Sequence, residues 1–136
     1  MSASAPDLRW FVDETSMGLG KMLAIARTDV VHPGHFWLPS VPTGTPDLDW
    51  MPIVADMGLV VISRDKRIRT KPAELAAFRA AELRVFWLAG KKDLSNWESI
   101  KLVIRHWDRM EHIADDRPDG PWFQAVSDRD IREFTV

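Results

Sequence analysis

Five acidic residues could do chemistry together: Asp13 and Glu14, Asp47 and Asp49, and Asp65. Asp13 and Glu14 close the apolar run Trp10-Phe11-Val12. Asp65 follows Leu59-Val60-Val61-Ile62-Ser63 by one residue, and Asp47 opens the segment leading into that run. Two carboxylates ~5 Å apart at an effective dielectric near 20 repel by about 3 kcal/mol. A hard divalent cation relieves that cost. Mg²⁺ takes oxygen ligands, one or two carboxylates per ion, and keeps most of its waters. The chemistry implied is phosphodiester hydrolysis, the cation activating water and steadying the developing charge. One Asp after a strand is more often a turn former, and Asp47 after Pro46 could simply cap a helix. Two strand-end acids together with Asp47 favour the metal reading.

The stretch Arg64-Asp65-Lys66-Arg67-Ile68-Arg69-Thr70-Lys71 carries five cations and one anion. Such a run is usually a solvated loop. Here it surrounds the proposed ligand Asp65, so Arg64, Lys66, Arg67 and Arg69 are candidates to hold phosphates flanking a scissile bond. His32-Pro33-Gly34-His35 is too short and too poor in further histidines for a zinc site, and reads as a structural loop. Gly18-x-Gly20 mimics part of a dinucleotide fingerprint, but Leu23 occupies the third glycine position and Asp13-Glu14 would repel a pyrophosphate. Neither a Walker sequence nor a serine-hydrolase elbow is present.

The elements that must position these residues follow from periodicity and breakers. Short buried strands are predicted at 9–13, 29–32, 59–63 and 84–88, and a last one, an edge strand, at 122–126. Helices are predicted at 17–27, 46–57, 71–82 and 94–115. Residues 33–46 hold Pro33, Gly34, Pro39, Pro42, Gly44 and Pro46, which preclude regular structure. In the longest helix Trp97, Ile100, Ile104, Trp107, Met110 and Ile113 recur at three- and four-residue steps and read as a core-facing stripe, the alternative being that one end projects and offers its aromatic face to a dimer or an antitoxin. Strands alternating with helices predict an α/β fold with a mainly parallel sheet and helices on both faces. Sites in such sheets lie at the carboxyl ends of the strands. If the first and third strands are neighbours, Asp13 and Asp65 face one another.

The chain has 136 residues, 46% hydrophobic and 28% charged, which suits one globular domain over 8–136 behind a loose tail at 1–7. Lys and Arg number 18 against 20 Asp and Glu, a net charge of −2, so nucleic-acid binding needs a local patch. Absent cysteine excludes disulfides, thiolate metal sites and cysteine nucleophiles. Without a signal-like start or a membrane-spanning apolar run, the expected location is the cytoplasm.

Two segments carry a family resemblance. RWFVDETSMGLGKMLA is similar to the opening of PIN-like ribonuclease domains, and TPDLDWMPIVADMGLVVISRDKRI to their middle, with its Ser/Thr-x-Asp. The nearest likeness is to VapC-type toxins. The resemblance implies a three-layer α/β/α fold, an acidic Mg²⁺ or Mn²⁺ site, endonucleolytic RNA cleavage, a cognate antitoxin and a homodimer. It assigns Asp13, Asp47 and Asp65 to the metal, with Glu14 as companion of the first acid and Ser63 as the hydroxyl beside Asp65. Where many relatives carry a further acid after Ser/Thr-x-Asp, this chain has Lys66 and Arg67, leaving Asp49 and Glu74 as spare candidates. Two alternatives stand beside it: a PIN-like domain that only binds RNA or protein, and a receiver-type phosphoacceptor domain using Lys91.

Overall fold

The computed structural model describes residues 6–64, 70–90 and 93–135. Its centre is a six-stranded sheet in the order β2-β1-β3-β4-β5-β6. The strands are β1 (Trp10–Val12), β2 (Val30–Val31), β3 (Val60–Ser63), β4 (Arg84–Leu88), β5 (Trp122–Val126) and β6 (Ile131–Glu133). Among the described residues four α-helices connect them: α1 (Met17–Ala26), α2 (Asp47–Asp56), α3 (Pro72–Ala80) and α4 (Asn96–Asp116). β1 to β5 pair in parallel and β6 runs antiparallel to β5. The expected α/β/α architecture is what forms.

Side-chain alternation divides the core into two layers, because successive strand residues face opposite sides of a sheet. Trp10, Val12, Val60, Ile62, Phe86, Leu88, Trp122 and Val126 face α1 and α4. Phe11, Val31, Val61, Val85 and Phe123 face α2, α3 and the 33–46 segment. Gly20 lets α1 lie close on the sheet: a Cβ there would sit 3.1 Å from the His32 Cβ and 3.2 Å from that of Val12. The 33–46 segment is irregular, as its prolines require, yet Leu38 and Val41 are fully buried in the second layer. It is a lid on the core. His32 and His35 shape it: the His32 Nδ1 pairs with the Pro33 carbonyl at 2.8 Å, and His35 Nδ1 accepts from the Trp37 N–H at 3.0 Å. Burial, reinforced by His32, holds the His35 imidazole below its usual pKa and keeps it in the accepting form.

Two expectations are corrected. β5 is not an edge strand, because the chain turns after Val126 and adds β6 outside it. The stripe on α4 is only partly core: Ile100, Trp107 and Met110 are buried, but Trp97 is 69% and Ile104 65% exposed. A helix of 21 residues drifts around its own axis, so three- and four-residue steps do not keep every member on one face. No helix among the described residues is long and apolar enough to cross a membrane.

Candidate metal centre at the carboxyl edge of the sheet

β1 and β3 are direct neighbours, with Val12 beside Ile62. The chain reverses its strand order here, since β2 lies on one side of β1 and β3 on the other. Such a switch point opens a crevice beyond the strand ends. Asp13 is the first residue past β1, its N–H bonded to the Ile62 carbonyl at 3.2 Å. It is 3% exposed, and neighbouring Ser63 is wholly buried.

Hydroxyl and amide donors hold the Asp13 carboxylate. Ser63 Oγ donates to Oδ2 at 2.5 Å. Thr15 gives both its N–H, at 3.1 Å, and its hydroxyl to Oδ1. The Thr15 hydroxyl in turn accepts from the Arg64 N–H at 3.2 Å, tying the ends of β1 and β3 together. Asp13 also caps the short 3₁₀ turn Glu14–Ser16, so its turn-forming role is real and coexists with its place in the cleft. Buried carboxylates need such donors. These leave Asp13 fixed in orientation.

Asp47 is not the cap of its helix; Pro46 occupies that position. Asp47 is the first helical residue, and its Oδ1 accepts from the Trp50 indole N–H at 3.0 Å. Asp49 lies exposed in the same first turn, where negative charge is favoured by the helix dipole. The Glu14 carboxylate is exposed and bound to the Gly44 N–H, clasping the end of the 33–46 segment.

Asp13, Glu14, Asp47 and Asp49 line one cleft of about 610 Å³, and Glu74 joins them from α3. Among the described residues no three of these groups converge closely enough to hold one ion. Asp65, Lys66, Arg67 and Arg69 lie outside the described residues, as does Lys91. Arg64 directs its guanidinium to the Leu94 carbonyl at 3.2 Å, on the α4 side. The donor set is all oxygen, which suits Mg²⁺ or Mn²⁺ in kind. One cleft-lining atom also fits a cation: Glu74 Oε2 is shut off from solvent without a hydrogen-bond partner among the described residues.

Sequence reasoning missed Thr15 and Trp50, which position Asp13 and Asp47. The Trp50 contact has a legible signal, three-residue spacing from Asp47 within one helix turn. Thr15 has a weaker one, a hydroxyl two residues after an Asp.

The chain belongs to the PIN like domain family, whose model matches residues 8–90. The match runs from just before β1 to just past the end of β4, and so contains Asp13, Asp47, Asp65 and Glu74. No curated protein and no solved structure matches the chain. The family places it in a nuclease-type fold.

Proposed function

We propose that the protein is a metal-dependent endoribonuclease, the VapC-type toxin half of a bacterial toxin–antitoxin pair, acting in the cytoplasm as one domain over 8–136. The observation that carries this reading is the buried Asp13. Ser63 and Thr15 orient its carboxylate at a parallel-sheet switch point, beside a cleft that Asp47 also lines. Asp13, Asp47 and Asp65 would hold Mg²⁺ or Mn²⁺, with Glu14 and Asp49 at the margin. Such an ion supplies Lewis acidity and an activated water for phosphodiester hydrolysis. The Ser63 and Thr15 hydroxyls fix the Asp13 oxygens so that little reorganisation is needed on binding. Arg64, Lys66, Arg67 and Arg69 bind backbone phosphates of the RNA, contributing affinity without reading sequence. A cognate antitoxin and a second copy of the chain are its proposed protein partners.

A binding-only PIN-like domain is the second reading. It is favoured by the separation of the described carboxylates, no three of which reach a common ion. The receiver reading has no such support, since the matched family is the PIN like domain. Purified protein incubated with tRNA, rRNA and mRNA in Mg²⁺, Mn²⁺ or EDTA separates the first two. Metal-dependent cleavage that disappears in Asp65→Asn establishes the nuclease. RNA binding without cleavage in any metal establishes the binding domain.

A further inference from the structure

The chain holds six phenylalanines. Phe11, Phe78, Phe86 and Phe123 are buried, and Phe134 packs against the second core layer. Phe36 is 80% exposed. The backbone that carries it is fixed. The Gly34 N–H donates to the Val41 carbonyl at 2.8 Å, the His35 N–H to the His32 carbonyl at 3.0 Å and the Leu38 N–H to the His35 carbonyl at 2.9 Å. Trp37, half-buried against the same core layer, meets the Phe36 ring edge-on at 4.9 Å. One aromatic anchors the turn and its neighbour is held outward, with at least one face of the ring open.

Phe36 also stands at the edge of the sheet that carries the cleft. β2 pairs with β1. A Cβ on Gly20 would touch both the His32 Cβ, at 3.1 Å, and the Val12 Cβ, at 3.2 Å, so His32 lies beside the end of β1 that leads into Asp13. Phe36 follows His32 by no more than about 14 Å of chain. The same segment ends on the cleft, where Glu14 binds the Gly44 N–H and Thr45 and Pro46 form part of the wall. Residues 33–46 hold no Asp, Glu, Lys or Arg. The carboxylates of the cleft repel a phosphate backbone, whereas this uncharged margin can receive a base. Exposed Ile25, Trp97 and Ile104 lie on α1 and α4, across the sheet, while exposed Leu48 lines the cleft itself. A protein partner calls for a contiguous apolar patch, and a single open ring suits a single base.

We infer that Phe36 is a base-stacking platform, on which an unpaired nucleobase of a single-stranded RNA rests as the strand passes the cleft. Every base has a π face, so such a contact adds affinity without reading sequence. The inference rests on the nucleic-acid reading above, and it holds whether the strand is cut there or only bound.

The test is fluorescence anisotropy on the full chain with a short, labelled, unstructured RNA and with an abasic strand of equal phosphate count. Wild type, Phe36→Ala, Phe36→Leu and Phe36→Trp are compared in EDTA, and in Mg²⁺ on the Asp13→Asn background. Phe36→Ala and Phe36→Leu should bind the RNA about tenfold more weakly, and Phe36→Trp at least as well as wild type. All four should bind the abasic strand alike and melt together, since the ring is exposed. Wild-type affinity in Phe36→Ala overturns the inference and leaves the nucleic-acid reading standing. Wild-type affinity in Phe36→Leu also overturns it, because the contact would then be merely apolar. So does an equal loss on both strands with a lowered Tm, the signature of a displaced loop. RNA bound in neither condition overturns the nucleic-acid reading and this inference together.

Discussion

The two edges of the sheet treat charge in opposite ways. At the amino edge cations and anions alternate and pair. Arg27 grips both oxygens of Asp29 at 2.8 Å, stacks 4.8 Å over the Trp107 ring and reaches Glu111 at 3.5 Å. Arg9 meets Asp115 at 2.5 Å, and Arg84 donates to the Gly58 and Ala114 carbonyls. At the carboxyl edge the described charges lining the cleft are carboxylates. Asp13 and Asp47 are held there by hydroxyls, a backbone N–H and an indole, while Glu74 Oε2 has no donor among the described residues. Paired charge ties α1 and α4 to the strand starts and serves the fold. Gathered carboxylates repel, and a cation bound there would offset that repulsion. The difference sets paired, stabilising charge at one edge and, on the proposed reading, the chemistry at the other.

That contrast can be broken in graded ways. The largest effect should come from Asp13→Asn, which removes the buried carboxylate proposed to hold the metal and leaves one oxygen, for either the Ser63 donor or the Thr15 donors. Metal-dependent RNA cleavage should fall about 100-fold or more, and stability by about 1–3 kcal/mol, because one set of buried donors loses its acceptor. Single-turnover rates and a thermal melt check both halves.

Ser63→Ala should be next. It strips Asp13 Oδ2 of a buried donor, and removing such a partner costs about 1–3 kcal/mol. Mn²⁺ affinity should fall by about 10–100-fold, as it does when outer-shell partners of a metal ligand are lost. Urea unfolding and calorimetry measure the two effects. A stability loss with unchanged Mn²⁺ affinity would separate Asp13 from the metal.

Arg27→Ala should weaken the opposite edge alone, by about 1 kcal/mol given its partial exposure, and leave Mn²⁺ affinity unchanged. Its effect depends on pH in a defined direction. The Arg27 hydrogen bond holds the Asp29 carboxyl below its usual range, against an opposing push from burial. The stabilisation is therefore complete above about pH 4, the unfolded value, and fades as pH falls through the depressed folded value. Wild type should lose more stability than Arg27→Ala on acidification through that window. Parallel pH–stability curves would show that the pair is not coupled to folding.

The smallest effect should come from Ile104→Ser on the exposed shoulder of α4, within about 0.5 kcal/mol of wild type by urea unfolding. A large loss there would mean that this face is covered in solution.

Much of this was legible along the chain. The run Leu59-Val60-Val61-Ile62-Ser63 reads as a buried strand because continuous apolar, β-branched residues suit a strand covered on both faces. The acids after the first and third apolar runs, Asp13 and Asp65, are legible because they punctuate such runs. The start of α4 was also readable, since Ser95 with Glu98 three residues on is the capping-box pattern, and this would have set the helix boundary more sharply. Trp97 and Ile104 were misleading because periodicity reports an apolar stripe and cannot report how wide a face the neighbouring layer covers.

By itself, then, the sequence determined the first five strands, the helices, the breakers and the α/β class. These depend on local sterics, alternation and side-chain chemistry, all of which act over a few residues. Tertiary structure decided that β1 lies beside β3, that Ser63 and Thr15 hold Asp13, and that β6 covers β5. It also turned Glu74 into the cleft while Glu98 was spent on its own helix end. Those outcomes depend on strand order and on which donors arrive from distant segments. Residues 50 positions apart meet only when the sheet has formed.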